Sequence, residues 1–208
     1  MSLNKLTGTL VYVQVQKPVE CYVKEKGFEY KASIIVDEDT ADAWNEAYPK
    51  QSATVIKTSE FESKFKIPAP FPDAKKQYQI TLRKNTKYTK TEKDEDGNEV
   101  KNSYDVPAEY LPKAFLKTED GREDITYSKL IANGSKGSIS VQVRQLRVGD
   151  VANLGNILVT DLIEYKAAKR EAGSEFDDDD TPAPAKAKPA GKAPAKSAPA
   201  DADESDPF

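Results

Sequence analysis

Hydrophobic and polar positions alternate along several stretches of the chain. In residues 9–16, Val11, Val13 and Val15 share one face, with Leu10, Tyr12, Gln14 and Gln16 on the other, which predicts a half-buried strand. Beyond Pro18 and the glycine at 27, Phe28 to Val36 repeats the pattern, placing Phe28, Tyr30, Ala32, Ile34 and Val36 together. From Thr40 to Tyr48 the period changes: Ala43, Trp44, Ala47 and Tyr48 fall at helical spacing, with Asp39 or Thr40 as cap and Pro49 as stop. Residues 53–67 read both ways, since Val55 and Ile56 suit a strand whereas Phe61 and Phe65 lie four apart, as on a helix. A third, long strand is predicted from Gln77 to about Thr91, with Tyr78, Ile80 and Leu82 inward and Gln79, Thr81, Arg83, Asn85 and Lys87 outward. It continues as a hairpin arm turning at Asp96-Gly97-Asn98.

Towards the end, Gly134-Ser135-Lys136-Gly137 introduces a strand over Ser138 to Val148, where Ile139, Val141 and Val143 alternate and Leu146 and Val148 follow one residue out of phase. That slip predicts a bulge at Arg144 or Gln145. Gly149 to Gly155 reads as a turn and Ile157 to Tyr165 as the final strand. The expected fold is mainly β: a five-stranded Greek-key barrel of the oligonucleotide-binding type with one short inserted helix, with a β-sandwich as the alternative topology.

Composition divides the chain. Residues 171–208 contain ten acids and four lysines, whereas residues 1–170 contain 27 basic and 25 acidic residues. Six of the thirteen prolines fall in the tail, whose only large apolar side chains are Phe176 and Phe208. So polar a segment cannot bury enough surface to offset the ordering entropy of roughly 1–2 kcal/mol per residue. Two units are expected: a nucleic-acid-binding domain over 1–170 and a disordered tail over 171–208. Within the tail, acids at 177–180 precede a lysine-bearing, proline-rich spacer and an acidic tip with Asp203, Glu204, Asp206, Pro207 and Phe208. A terminal aromatic flanked by carboxylates suits docking to a partner.

With one cysteine and no histidine, the chain excludes internal disulfides, thiolate or imidazole zinc cages and imidazole-based catalysis. No apolar run is long enough for a membrane span and no secretory signal is evident, so a cytoplasmic protein that is not an enzyme and needs no cofactor or metal is expected. The acids Asp37, Glu38 and Asp39 read better as complements to a helix dipole than as metal ligands. The enzyme alternative is a metal-dependent nuclease using them with Asp161 or Glu164. A third class is a structural or interaction protein with a solubilising tail.

The outward faces and loops carry Lys24, Lys26, Lys31, Arg83, Lys87, Lys90, Lys136, Arg144 and Arg147, interleaved with Tyr12, Tyr22, Tyr88 and Tyr104. Cations for a phosphate backbone, with rings on which bases stack, are what sequence-independent binding of single strands requires.

Lys26-Gly27 before Tyr30-Lys31, a helix straight after that strand, the alternating strand around Arg83, Gly134-Ser135-Lys136 leading into a long strand, a last strand ending at Tyr165 and the acidic Pro-Phe tip occur in this order. In that order the chain resembles bacteriophage single-stranded DNA-binding proteins of the T7 type. The resemblance implies an oligonucleotide-binding barrel that coats single-stranded DNA in phage replication and recombination, in the host cytoplasm. It implies phosphate contacts at Lys26 and Lys31 and groove positions at Thr81 and Arg83. Where the family has aromatics, this chain has Gln145-Leu146-Arg147-Val148, so Arg144 and Arg147 would substitute with flat guanidinium groups. DNA polymerase or helicase would be recruited through the tail, which would also compete with DNA for the groove; a homodimer is left open.

Overall fold

A computed structural model describes residues 3–21, 27–94, 98–146 and 149–165. All belong to the unit Met1–Ala167; the tail over 171–208 lies outside the described residues, as do Tyr22, Lys24, Lys26 and Arg147.

The strands are β1 (Lys5–Glu20), β2 (Phe28–Val36), β3 (Thr54–Lys57), β4 (Lys76–Asn85), β5 (Lys87–Lys93), β6 (Glu99–Asp105), β7 (Ala114–Thr118), β8 (Gly121–Asp124), β9 (Lys136–Leu146) and β10 (Gly149–Asp161). Helix α1 spans Glu38–Ala47 and α2 Thr58–Phe65. Eight strands form one sheet in the order β3-β4-β2-β1-β9-β10-β7-β8, while β5 and β6 pair only with each other. All the pairings are antiparallel except β7 with β10.

The mainly β expectation holds, but the five-stranded closed barrel with one helix does not. The sheet curls far enough for β10 to lie against β4 and β2, yet the two edges that would close it are occupied. β3 pairs along β4, and β7 pairs along β10 at Ala114↔Ile157. Edge pairing of this kind satisfies backbone groups without closure.

The main core gathers Leu6, Leu10 and Val15 of β1, alternate residues Tyr30, Ala32, Ile34 and Val36 of β2, Ile80 and Leu82 of β4 and the inner residues of β9 and β10 around Trp44. The indole Nε1 of Trp44 donates to the Gln51 carbonyl (2.7 Å), and the Gln51 side chain bonds both backbone groups of Ala152, tying α1 to β10. The cap of α1 is Asp37, not Asp39 or Thr40: its carboxylate accepts from the Thr40 N–H at 2.7 Å.

A second cluster lies on the other face of the sheet. Val11, Ile35 and Ile56 are covered there by Phe61 and Phe65 of α2. Residues 53–67 are thus a strand and a helix in succession. Eight residues are too few for a helix stable alone, and burial of the two rings, each worth about 1.5–3 kcal/mol, anchors it.

The predicted grouping of Val11, Val13 and Val15 fails. Tyr12 adopts a positive φ (52°), and the β1–β2 register shifts between Val11 and Gln14. The bulge turns Val11 to the outer cluster while Val15 reaches the main core. The bulge expected at Arg144 or Gln145 is instead on β10, where the register jumps between Leu154 and Ile157. The span 149–155 is accordingly strand rather than turn. The long third strand is two elements, β4 and β5, in different sheets.

Candidate nucleic-acid interface

The chain leaves the main sheet at Thr86. Its N–H and hydroxyl both donate to the Phe28 carbonyl (2.9 and 3.0 Å), and its own carbonyl accepts from Val106 N–H (2.8 Å). These bonds pinch β4, β5 and the end of β6 into a neck from which the β5–β6 arm departs. Beside the neck is a groove of about 700 Å³. Lys84, Lys87 and Arg144 line it together with Phe28 and Tyr88, with Asn85 and Asn153 as neutral polar groups. No carboxylate lines it among the described residues.

Each side chain is placed by its element. Lys84 stands opposite Tyr30 in the β2–β4 ladder, on the inward phase of β4 where the core ends. Its ammonium donates to Gln142 Oε1 of β9 at 2.9 Å. Burial, and secondarily the Arg144 guanidinium, push its pKa below the ordinary lysine value. Arg144 faces Val151 across the β9–β10 hairpin. Lys87 opens β5 and lies 3.8 Å from Asp105, an exposed pair of little energetic weight. Tyr88 stacks on Tyr104 with ring centroids 5.7 Å apart. Phe28 is 53% exposed and Tyr88 43%, so both rings offer a free face.

Lys31, Thr81 and Arg83 occupy the outer face of β2 and β4. Lys31 is directly opposite Arg83, and Thr81 opposite Ser33, whose hydroxyl lies 2.8 Å from that of Thr81. Arg83 bonds the nearly buried carboxylate of Glu29, which the Cys21 thiol also approaches. By strand alternation Arg83 shares its face with Asn85, a groove residue. The Lys31–Arg83 pair therefore adjoins the groove along one strand.

Lys136 is not part of this group. It pairs with Thr9 on β1 and Asp161 on β10, eight residues from Arg144, or roughly 26 Å along a strand. The row from Lys136 through Thr9 also crosses Ile35, fully buried beneath α2. Tyr12 is structural: its hydroxyl donates to the Lys64 carbonyl and its ring packs 5.2 Å from Phe65. Lys24, Lys26, Arg147 and the tail residues Asp203, Glu204, Asp206, Pro207 and Phe208 lie outside the described residues.

Of the sequence-derived residues, the structure gathers Lys87, Tyr88 and Arg144 around the groove and sets Lys31, Thr81 and Arg83 beside it. Lys84 and Phe28 were missed. The signal for Lys84 is a lysine continuing the inward series Tyr78, Ile80, Leu82; Phe28 sits at the first position of its strand, where the inward phase has already left the core.

Two of the acids considered for metal binding, Asp37 and Glu38, have other partners. Asp37 caps α1, and Glu38 accepts from the Tyr78 hydroxyl, whose pKa that bond pushes up to about 12. Among the described residues no three acids or cysteines gather as a metal site, and no helix is long and apolar enough to cross a membrane.

No protein-family model matches the chain, and no curated protein matches it. Solved structures that it resembles include bacteriophage single-stranded DNA-binding proteins. The protein from bacteriophage Enc34 in complex with single-stranded DNA is 15% identical, with a TM-score of 0.38 over 76% of this chain and 85% of that one. Its C-terminally truncated form gives 14%, 0.39, 76% and 84%. The gp2.5 protein encoded by bacteriophage T7 gives 11%, 0.39, 86% and 98%. The likeness is loose, and no site residue is carried over from it.

Proposed function

We propose that this protein binds single-stranded DNA without sequence preference, through the groove at the root of the arm, and has no catalytic activity. The observation that carries this reading is the lining itself: three cations and two half-exposed aromatic rings in one cleft, with no carboxylate among the described lining residues. Ammonium and guanidinium groups attract any phosphate backbone, and every base has a face to stack on Phe28 or Tyr88. Lys31 and Arg83 extend the cationic surface along the outer face of the same strands. Such a surface holds and protects single strands, and the role proposed for it is in phage replication and recombination within the host cytoplasm.

The acidic segment 171–208 is proposed to compete with DNA for the cationic groove and to recruit a polymerase or helicase through Asp203, Glu204, Asp206, Pro207 and Phe208. Its ten acids against four lysines support the competition.

The test is oligonucleotide binding across a salt series. Tyr88→Ala is expected to weaken binding by about 1–3 kcal/mol with an unchanged salt slope, because a stacked base is lost and no counterion is involved. Lys87→Ala is expected to flatten the slope by about 0.7, the contribution of one phosphate contact on a single strand. Salt-independent binding, or equal effects of both substitutions on the slope, would refute the reading. Labelled oligonucleotides incubated with magnesium are expected to stay intact.

A further inference from the structure

A polar row crosses the outer face of the sheet beside the cationic groove. Arg83 of β4 stands opposite Lys31 of β2, and Lys31 opposite Gln14 of β1. Residues opposite one another in a ladder share a face, and two strand spacings, about 9.6 Å, take the row from Arg83 to Gln14. There it meets a hollow of about 590 Å³ that shares no lining residue with the groove at the neck. Gln14 lines the hollow with Tyr12 of β1, Phe65 and Lys66 at the end of α2, Leu130 and Tyr165. No carboxylate is among its described lining residues.

One wall of the hollow is fixed. Tyr12 takes the left-handed backbone (φ 52°), which a bulky residue keeps only where its surroundings hold it there. Its N–H donates to Asn133 Oδ1 (2.8 Å) and its hydroxyl to the Lys64 carbonyl (3.1 Å), setting the ring against Phe65. The other groups are open. Tyr165 is anchored by its N–H to the Leu130 carbonyl (3.0 Å) but is 60% exposed. Lys66, also left-handed (φ 60°), is exposed. Gln14 is half-buried, and its carboxamide has no hydrogen-bond partner among the described residues.

We infer, resting on the single-strand binding proposed above, that this hollow is a second base-binding site for the same strand. The backbone crosses over Arg83 and Lys31, a base stacks on Tyr165 with its edge towards Gln14, and Lys66 takes the next phosphate. A carboxamide both donates and accepts, so it meets any base, in keeping with binding without sequence preference. Continuity with the cationic row selects a nucleic acid as the occupant, and the one charged group among the described lining residues, Lys66, has the sign that a phosphate needs.

The experiment uses the full chain and thymidine homopolymers of about sixteen nucleotides, the upper end of the site sizes of oligonucleotide-binding folds, carrying 5-iodouracil. Irradiation followed by peptide mass spectrometry is expected to find crosslinks at Phe28 or Tyr88 and also at Tyr165 or Tyr12. Tyr165→Ala is expected to weaken binding about fivefold or more with an unchanged salt slope. Tyr165→Phe, which keeps the ring, is expected to bind within about twofold of the unsubstituted chain, because stacking needs no hydroxyl. Lys66→Gln is expected to flatten the salt slope by about 0.7. Binding with crosslinks confined to the groove, an affinity untouched by Tyr165→Ala, or equal weakening by Tyr165→Ala and Tyr165→Phe would overturn the inference and leave the groove reading intact. No binding at all would remove both.

Discussion

Glu29 is 8% exposed at its side chain, and Arg83, its partner, is half exposed. The carboxylate therefore holds the guanidinium at the base of the outer face while the rest of Arg83 stays open to a phosphate. Arg83→Ala is expected to do two separable things. It lowers DNA affinity and flattens the salt slope, and it leaves Glu29 buried without its cation, costing about 1–3 kcal/mol of stability in denaturant unfolding. Arg83→Lys should recover most of the slope but less of the stability, since an ammonium lacks the guanidinium's planar fork. Alternation alone predicts that Arg83, Thr81 and Lys31 face away from the core, and they do. The same rule sets Glu29 on that outer face but gives no hint of its burial, which depends on Arg83 and Cys21 arriving from elsewhere in the chain. Lys84 shows the reverse: its inward phase was legible, but not that the core stops before reaching it.

The arm is held together by a polar hub rather than by a core. Glu92 accepts from Lys90, Asn102 and Tyr104, each at 2.8 Å, and these bonds, Lys90 first, hold its carboxyl down to about 2 from an ordinary 4.5. Because the folded carboxyl is the stronger acid, its contribution to the arm is complete above about pH 4.5 and fades as pH falls towards 2. A carboxyl NMR titration is expected to place the Glu92 midpoint near 2, and Glu92→Gln to abolish the acid-induced loosening of the arm. The pairing of β5 with β6 agrees with the hairpin arm expected from the alternation, though Asp96 and Gly97 of its expected turn lie outside the described residues, and β2 has the predicted bounds of Phe28 to Val36. The bulges were not legible. A bulge is a mismatch between two strands, so the phase slip within 138–148 could not reveal that the extra residue sits in β10.

Across the whole molecule, closure was the feature furthest from view. Whether β4 meets β10 or each takes a neighbour is decided by β3 and β7, short segments far away in sequence whose patterns show only that they are extended. Charge was easier to read: the body's slight positive excess and the tail's ten acids stand in the residue list itself. What the list cannot show is that the cations divide, with Lys84, Lys87 and Arg144 in the groove and Lys136 beyond α2. Removal of residues 171–208 is expected to tighten oligonucleotide binding, most at low salt where the segment's charge is least screened. Weaker binding after truncation, measured beside the full chain, would remove the competition from the proposal.

The arm is bonded to the sheet through Thr86, which donates to the Phe28 carbonyl and accepts from Val106, and its strands have seven residues each. Its span is therefore an adjustable parameter: excising the outer residue pair Lys93 and Glu99 shortens it by about 3.3 Å while leaving the Glu92 hub and both hydrophobic clusters in place. If the arm marks one boundary of the occluded nucleotides, the footprint in a titration of long homopolymers is expected to contract when that pair is removed, while thermal stability stays level.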